Sequence, residues 1–151
     1  MTCKICDSHS HIKDDPYFIT ELETGYVVLG WYQRFRGYTV FQCKEHGPEL
    51  FDLEWEFRKK HLLEMSVVAE AVNNLFGPDK MNYELLGNGC SHIHWHLYPR
   101  RKGDTPKVSS VYQLPNEELF DEASRPNDEE REELKRAIRQ EIERLMRISR
   151  Q

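Results

Sequence analysis

Three histidines of this chain stand at every second position in one short segment, SHIHWHLYPRRKGD. They are His92, His94 and His96, called here the histidine row, and they are three of seven histidines in the sequence. Alternate side chains of a β-strand point to the same face, so a strand would present all three imidazoles together. Imidazole is a donor, an acceptor, a nucleophile and a metal ligand near neutral pH. The row therefore predicts a chemical site.

Two kinds of chemistry suit such a row. The alternative is a partly exposed strand face that tolerates imidazoles and has no chemical function. In the first, a neutral histidine attacks phosphorus, and neighbouring imidazoles and backbone amides stabilise charge on the phosphate oxygens. Gly87, Asn88 and Gly89 lie just upstream, and glycines let the backbone approach an anion closely. In the second, histidines two residues apart on a strand share a metal ion.

A cysteine pair near the N-terminus, Cys3 and Cys6, has the spacing of half a metal site or of a redox pair. A disulfide framework is not expected in a reducing cytosol, although the chain has four cysteines. The redox interpretation is the weaker one, because no strand-to-helix pattern surrounds the pair. Tetrahedral zinc needs two more ligands. One candidate pair is local, His9 and His11.

Five segments with the composition of β-strands are predicted to position these residues, together with one long helix. The strand segments are YFITEL, YVVLGW, YTVFQC, MNYELLG and HIHWHLYP. The helix is expected to start at Leu53 with Asp52 as its N-cap, and Gly77-Pro78 is expected to end it. We therefore predict an α+β fold, an antiparallel sheet of about five strands with one long helix packed on it and a C-terminal helix besides.

The C-terminal part of the chain is predicted to be an extension, residues 111–151, to a catalytic domain of residues 1–110. Residues 103–126 are expected to form a loop with one helical turn. Asn127 resembles the start of a capping box and begins a charged helix over about 127–148. Four apolar residues of this helix form a narrow stripe, namely Leu134, Ile138, Ile142 and Leu145. The stripe would dock on the domain or pair with another chain; a solvated helix with little role is the alternative.

The composition of the chain argues against duplex nucleic acid and membranes as partners. The net charge of −5 gives no overall basic field for duplex nucleic acid, so phosphate binding is expected only at local basic clusters such as Arg100–Lys102. No apolar run approaches the ~20 residues that span a bilayer. The N-terminal residues lack the apolar stretch of a signal peptide. We expect a cytoplasmic protein that contacts no membrane.

The segment HIHWHLYPR resembles the signature of the histidine triad (HIT) family, His-φ-His-φ-His-φ-φ with φ apolar. Upstream, GYTVFQCKEHGPELFDL is similar to the family's strand and K-x-H segment before its long helix. The segment NYELLGNGCSHIHWHLYPRRKGD is similar to the bacterial branch, which has a Gly-Asn turn before the triad. The resemblance covers Cys3 to Asp104 and leaves the C-terminal part unmatched.

The resemblance implies a hydrolase or transferase that acts on a nucleoside phosphate ester, anhydride or phosphoramidate. His94 would attack the α-phosphorus and form a nucleotidyl-histidine, and water would release the nucleoside monophosphate. His96 would donate to a phosphate oxygen, and the backbone of Gly89 and Cys90, with the Asn88 side chain, would line the phosphate site. The resemblance also implies a homodimer. No organic cofactor is expected. The rival functions are a nucleotide-binding module with little catalysis and a zinc-stabilised interaction protein.

The nucleoside is expected near residues 28–33, where Trp31 would stack on a base; simple core packing of Trp31 is the alternative. Arg100 is predicted to contact the substrate. Two positions depart from the family pattern. Gly89 stands where some members have serine or threonine, and Gly30 stands where many have an asparagine for the ribose. Ribose recognition and the choice of substrate are therefore open.

A second, long-range set of zinc ligands joins Cys3 and Cys6 to His46 and His92. Several proteins of the triad fold resemble this pattern and hold a structural zinc. We prefer this set to the local one, since it also accounts for the position of His46 before the helix. Such a zinc would be closed and structural, and would pin the N-terminus to the sheet. His92 would then be unable to act as an acid or base.

Overall fold

The structure is a computed structural model that describes residues 2–149. Its sheet has five strands, namely β1 (Phe18–Glu21), β2 (Gly25–Leu29), β3 (Thr39–Cys43), β4 (Lys80–Glu84) and β5 (His94–Arg100). The strands lie in the order β1-β2-β3-β5-β4, and each neighbouring pair is antiparallel. The predicted five-stranded antiparallel sheet is confirmed. β5, which carries the histidine row, lies between β3 and β4.

Within residues 2–149, four α-helices accompany the sheet: α1 (Lys4–His9), α2 (Trp55–Phe76), α3 (Asn116–Leu119) and α4 (Asp128–Ile148). The long helix α2 is confirmed, and so is its end, where Gly77 adopts the left-handed conformation at φ 54°. The predicted N-cap was wrong. The Glu54 carboxylate accepts the first N–H groups of α2, whereas Asp52 accepts the N–H of Glu49 and closes a short 3₁₀ turn. No helix within residues 2–149 is long and apolar enough to cross a membrane.

The C-terminal helix α4 docks on the domain. Asn127 caps it as predicted, because its side chain accepts the N–H of Glu130 at 2.9 Å. The stripe is buried in the same hydrophobic core as residues of α2 and the sheet, so the solvated-helix alternative is wrong. Arg139 also donates from Nε to the carbonyl of Ile19 in β1 at 2.8 Å. The extension thus shares the core of the preceding residues, and its division at residue 110 stays a prediction.

The segment between β5 and α4 covers the sheet face opposite α2. It forms two 3₁₀ turns, Val111–Gln113 and Glu122–Ser124, on either side of α3, where the sequence predicted a loop with one helical turn. Three of its residues form a second buried cluster with Phe35 and Tyr98, namely Val111, Leu114 and Leu119. The apolar residues of this segment stand singly among turn residues and show no periodicity, so the positions of the two 3₁₀ turns and of α3 were not predictable.

A buried chain of hydrogen bonds connects α2 to β5 behind the histidine row. Trp95 Nε1 donates to His61 Nε2 at 3.0 Å, and His61 Nδ1 lies 3.0 Å from Thr24 Oγ1. Thr24 Oγ1 in turn donates to Glu64 Oε1 at 2.5 Å. Because an indole N–H only donates, His61 is a neutral imidazole with its hydrogen on Nδ1. Burial lowers the pKa of His61 to about 4.

Acid is expected to weaken the fold through His61. The imidazole titrates near 6.5 in the unfolded chain and near 4 in the folded one, so the unfolded chain binds more protons between these pH values. Stability is therefore complete above pH 6.5 and falls towards pH 4, by up to about 3 kcal/mol from this group. His61→Gln keeps an acceptor for Trp95 and should flatten this dependence in urea unfolding at neutral and acid pH. An equal acid loss in the variant would contradict the assignment.

Candidate functional site

β5 places two residues of the histidine row on the sheet face opposite α2. His94 lies across from Gln42 of β3, and His96 lies across from Val40. Trp95, between them, turns to the other face and contacts His61 of α2. The ring centroids of His94 and His96 are 5.0 Å apart. His92 precedes the strand and belongs to a different cluster, described below.

His94 is oriented through its Nδ1 and leaves its Nε2 without a protein partner among the described residues. Its Nδ1 lies 2.6 Å from the carbonyl oxygen of His92. A carbonyl only accepts, so Nδ1 carries a hydrogen, and in the neutral ring Nε2 carries the lone pair. Within the described part of the chain, no side chain hydrogen-bonds to that Nε2. A neutral imidazole held in this tautomer is ready to attack an electrophile such as phosphorus.

His96 lies deeper and is held neutral. Burial, and after it the neighbouring His94, lower the pKa of His96 to about 4. Its Nδ1 is 2.5 Å from the hydroxyl oxygen of Tyr38, the residue just before β3. At neutral pH His96 therefore has one N–H group and one lone pair, and it can donate one hydrogen bond to a ligand.

Four side chains from three separate parts of the chain converge at the N-terminal end of β5, with ligand atoms within 4.8 Å of one another. They are Cys3, Cys6, His46 and His92. Cys6 Sγ is 3.4 Å from Nδ1 of both His46 and His92, and these two nitrogens are 3.3 Å apart. Tetrahedral zinc, with bonds of about 2.3 Å to sulfur and 2.0 Å to nitrogen, gives separations of about 3.5 Å and 3.3 Å. The four residues fit this ion.

The tautomer of His92 also suits a metal ligand. His92 is fully buried, and its Nε2 lies 2.6 Å from the carbonyl oxygen of Cys43, so Nε2 carries the hydrogen. Nδ1 is then unprotonated and faces the cluster. The local candidates are not among the converging ligands. The His9 ring packs edge-on against His92, with centroids 5.4 Å apart, but its Nε2 lies 3.1 Å from Gln42 Oε1, and His11 is exposed. The structure brings the long-range set together and not the local one.

A cavity of about 370 Å³ opens on the same sheet face as His94 and His96. Its lining includes Val40 and Gln42, the cross-strand neighbours of these histidines. Trp31 lines the cavity and is 50% exposed, which excludes the core-packing alternative. Leu119 and Phe120 of the extension line it too. The cavity thus joins the strand face, the predicted nucleoside region and the C-terminal extension.

The glycine turn upstream of the row is open to a ligand. Gly87 has a positive φ of 73°, and Asn88 and Gly89 are exposed. No atom lies within 4 Å of a Cβ placed on Gly89, and Cys90 is half-buried. The turn leaves room for an anion near backbone N–H groups, and its predicted contact with phosphate stays a prediction.

The guanidinium of Arg100 makes its hydrogen bonds within the protein. Nε and Nη2 donate to the two carboxylate oxygens of Asp104 at 2.9 and 2.8 Å, and Nη2 also donates to Thr105. Nη1 donates to Asn82 of β4 and to the carbonyl of Ser109. All five N–H groups of the guanidinium therefore have protein acceptors. Its predicted contact with a substrate is untested and would require one of these bonds to break.

Sequence reasoning missed Tyr38, Gln42 and the two lining residues of the extension, Leu119 and Phe120. A partial signal existed in YTVFQC, where Tyr38, Val40 and Gln42 alternate and so share a face. The pairing of β3 with β5, which brings that face to the histidines, was not readable from either segment alone.

A five-stranded antiparallel sheet with a long helix on one face and alternating histidines on the other defines the class of histidine triad folds. A family model, the HIT domain, matches residues 19–103, which is more than half of the chain. The protein belongs to the HIT family. The cysteine pair and the C-terminal extension lie outside the matched residues. A comparison with curated proteins gives no match.

Solved structures agree on the fold. A histidine triad protein from Bradyrhizobium japonicum has a TM-score of 0.74 at 23% identity and covers 89% of this chain and 96% of its own. A Zn-bound histidine triad family protein from Mycobacterium smegmatis has a TM-score of 0.65 at 24% identity and covers 98% of both chains. A hypothetical histidine triad nucleotide-binding protein from Sulfolobus tokodaii has a TM-score of 0.68 at 21% identity, with coverages of 95% and 93%.

Proposed function

We propose that the protein is a nucleotide hydrolase that cleaves a nucleoside phosphate anhydride, ester or phosphoramidate through His94 and releases a nucleoside monophosphate. One observation carries the proposal: the hydrogen bond from His94 Nδ1 to the His92 carbonyl, which in the neutral ring leaves the Nε2 lone pair on the open face of the sheet. Membership of the HIT family and the nucleotide-binding description of the Sulfolobus tokodaii protein support a nucleotide as the ligand.

The proposed reaction has two displacements. His94 Nε2 attacks the α-phosphorus, an N–P bond forms, and the leaving group departs with the electron pair of its bond. The His92 carbonyl, which accepts Nδ1–H, stabilises the positive charge that develops on the ring. Water then attacks phosphorus, and the N–P electron pair returns to Nε2. Of the two hydrogens of water, one ends on the leaving group and one on the released phosphate.

The cavity is the proposed nucleoside site. Its volume of about 370 Å³ suits a small ligand, and Val28 and Val40 give it an apolar floor. The ring of Trp31 is half exposed beside it, and base stacking on an aromatic ring contributes about 1–3 kcal/mol. The phosphate would lie between His96 and the turn of Gly87 to Cys90. We retain the homodimer and the cytoplasmic location as predictions.

We also propose a structural zinc held by Cys3, Cys6, His46 and His92. Four protein ligands complete a tetrahedral shell, so such a zinc supplies cross-linking rather than catalysis. It would attach α1 to the start of β5. His92 would then contribute twice: its Nδ1 to the zinc cluster, and its carbonyl to the hydrogen bond that orients His94.

The test of the hydrolase proposal is direct. The protein is incubated with nucleoside phosphoramidates and dinucleoside polyphosphates, and release of nucleoside monophosphate is followed by chromatography. A sample denatured rapidly during turnover, without acid, should carry one nucleotidyl group on the peptide that contains His94. Tight binding of nucleoside monophosphate without release from any substrate would overturn hydrolysis and favour a binding module.

A further inference from the structure

Tyr38 occupies a place that only glycine at position 30 allows. A Cβ on Gly30 would lie 2.0 Å from the Tyr38 ring, so the ring covers the bare backbone of that residue. The Tyr38 ring also stacks on Tyr98, with centroids 4.0 Å apart and planes 2° from parallel. Gly30 and Tyr98 together fix where the phenol hydroxyl points, and it points at His96.

The direction of the Tyr38–His96 hydrogen bond follows from the neighbouring groups. Burial raises the pKa of Tyr38, so the phenol keeps its hydrogen at neutral pH. Within residues 2–149, the Tyr38 hydroxyl has no hydrogen-bond partner other than His96 Nδ1, so its hydrogen has no other protein acceptor. The Tyr38 hydrogen is then directed to His96 Nδ1, 2.5 Å away, and the hydrogen of the neutral imidazole must be on Nε2.

We propose that Tyr38 is a positioning residue that holds His96 in the tautomer with its hydrogen on Nε2, ready to donate to a phosphate oxygen. The catalytic part of this inference rests on the proposed function; the tautomer does not. Other titratable groups near the pair are His94 on β5, Glu84 across from His96 on β4, Tyr98, and Tyr112 from the extension. Within residues 2–149, only Tyr38 hydrogen-bonds to the His96 side chain.

The consequence for the reaction is electrostatic. A His96 Nε2–H attracts the phosphate oxygen, on which charge grows during attack. A bare Nε2 lone pair at the same place would repel it. Without the Tyr38 hydroxyl, both tautomers of the neutral ring would be populated, and only a fraction of the molecules would donate.

The test uses Tyr38→Phe, which keeps the ring over Gly30 and its stack on Tyr98 and removes only the hydroxyl. We expect kcat for release of nucleoside monophosphate to fall about 10- to 100-fold, with KM changed by less than about threefold. Tyr83→Phe removes a hydroxyl from an exposed tyrosine of β4 and is the matched control. Gly30→Ala, whose methyl group would meet the Tyr38 ring, should give a similar loss of kcat.

Nitrogen NMR of the histidine rings separates this inference from the proposed function. In the unaltered protein, His96 should show a protonated Nε2 and a bare Nδ1; in Tyr38→Phe the two nitrogens should approach averaged shifts. A hydrogen on Nδ1 of His96 in the unaltered protein would overturn the role of Tyr38, as would an unchanged tautomer and kcat in the variant. The expected tautomer in a protein that turns over no nucleotide would support the hydrogen bond and refute the hydrolase.

Discussion

Replacing His94 with asparagine is expected to lower kcat/KM for nucleotide hydrolysis by at least about 10³-fold. The asparagine amide reaches roughly as far as Nδ1 of the imidazole and can still donate to the His92 carbonyl, so the strand end should keep its conformation. What is lost is Nε2, the atom proposed to attack phosphorus. The measurement is the initial rate of nucleoside monophosphate release from a phosphoramidate.

Two controls make this result specific. His11→Asn changes an exposed histidine outside the cavity lining and should retain the full rate. Calorimetric binding of nucleoside monophosphate to His94→Asn should remain within a few-fold of the unaltered protein, because the cavity that holds the nucleoside is intact. Turnover by His94→Asn at the unaltered rate would exclude covalent catalysis at this residue.

The common face of the row was predictable because a strand has a period of two residues. Ile93, Trp95 and Leu97 are large and apolar and separate the histidines, and a strand that buries them must turn His94 and His96 the other way. The tautomers were not predictable. The tautomer of His94 depends on the backbone carbonyl of His92, just before β5. The tautomer of His96 depends on Tyr38, which lies beside His96 only because β3 pairs with β5.

The metal ligands were harder to predict, because the sequence contains two possible sets of them. Spacing alone permitted His9 and His11, which follow the cysteines closely. The helix α1 distinguishes the two sets, because Cys3 and Cys6 lie about one turn apart at its N-terminal end and His9 lies at its C-terminal end. Cys3 meets His92 across a separation of 89 residues, and only the resemblance to known triad folds suggested that contact.

Loss of the zinc cluster is expected to lower stability strongly without abolishing the fold. The core of the sheet, α2 and α4 is buried independently of the cluster, so the chain should still fold. A ligand present at about 1,000 times its dissociation constant stabilises by about 4 kcal/mol. For a domain of this size that corresponds to a fall in Tm of about 10 °C. Cys6→Ser and chelation of the unaltered protein should both produce it, with loss of one bound zinc by elemental analysis.

The same experiment tests which ligands are used and what they support. His11→Ala removes a ligand of the local set only, so this variant should keep its zinc and its Tm. Loss of zinc in His11→Ala would favour the local set of ligands instead. Retention of zinc in Cys6→Ser would show that Cys6 is not a ligand. Because His92 links the cluster to the hydrogen bond of His94, a zinc-free protein should also turn over more slowly at temperatures where it remains folded. Full activity after zinc removal would show that the carbonyl of His92 is held by the strand alone, through the bonds from Ile93 to Gly47 and from Cys43 to Ile93.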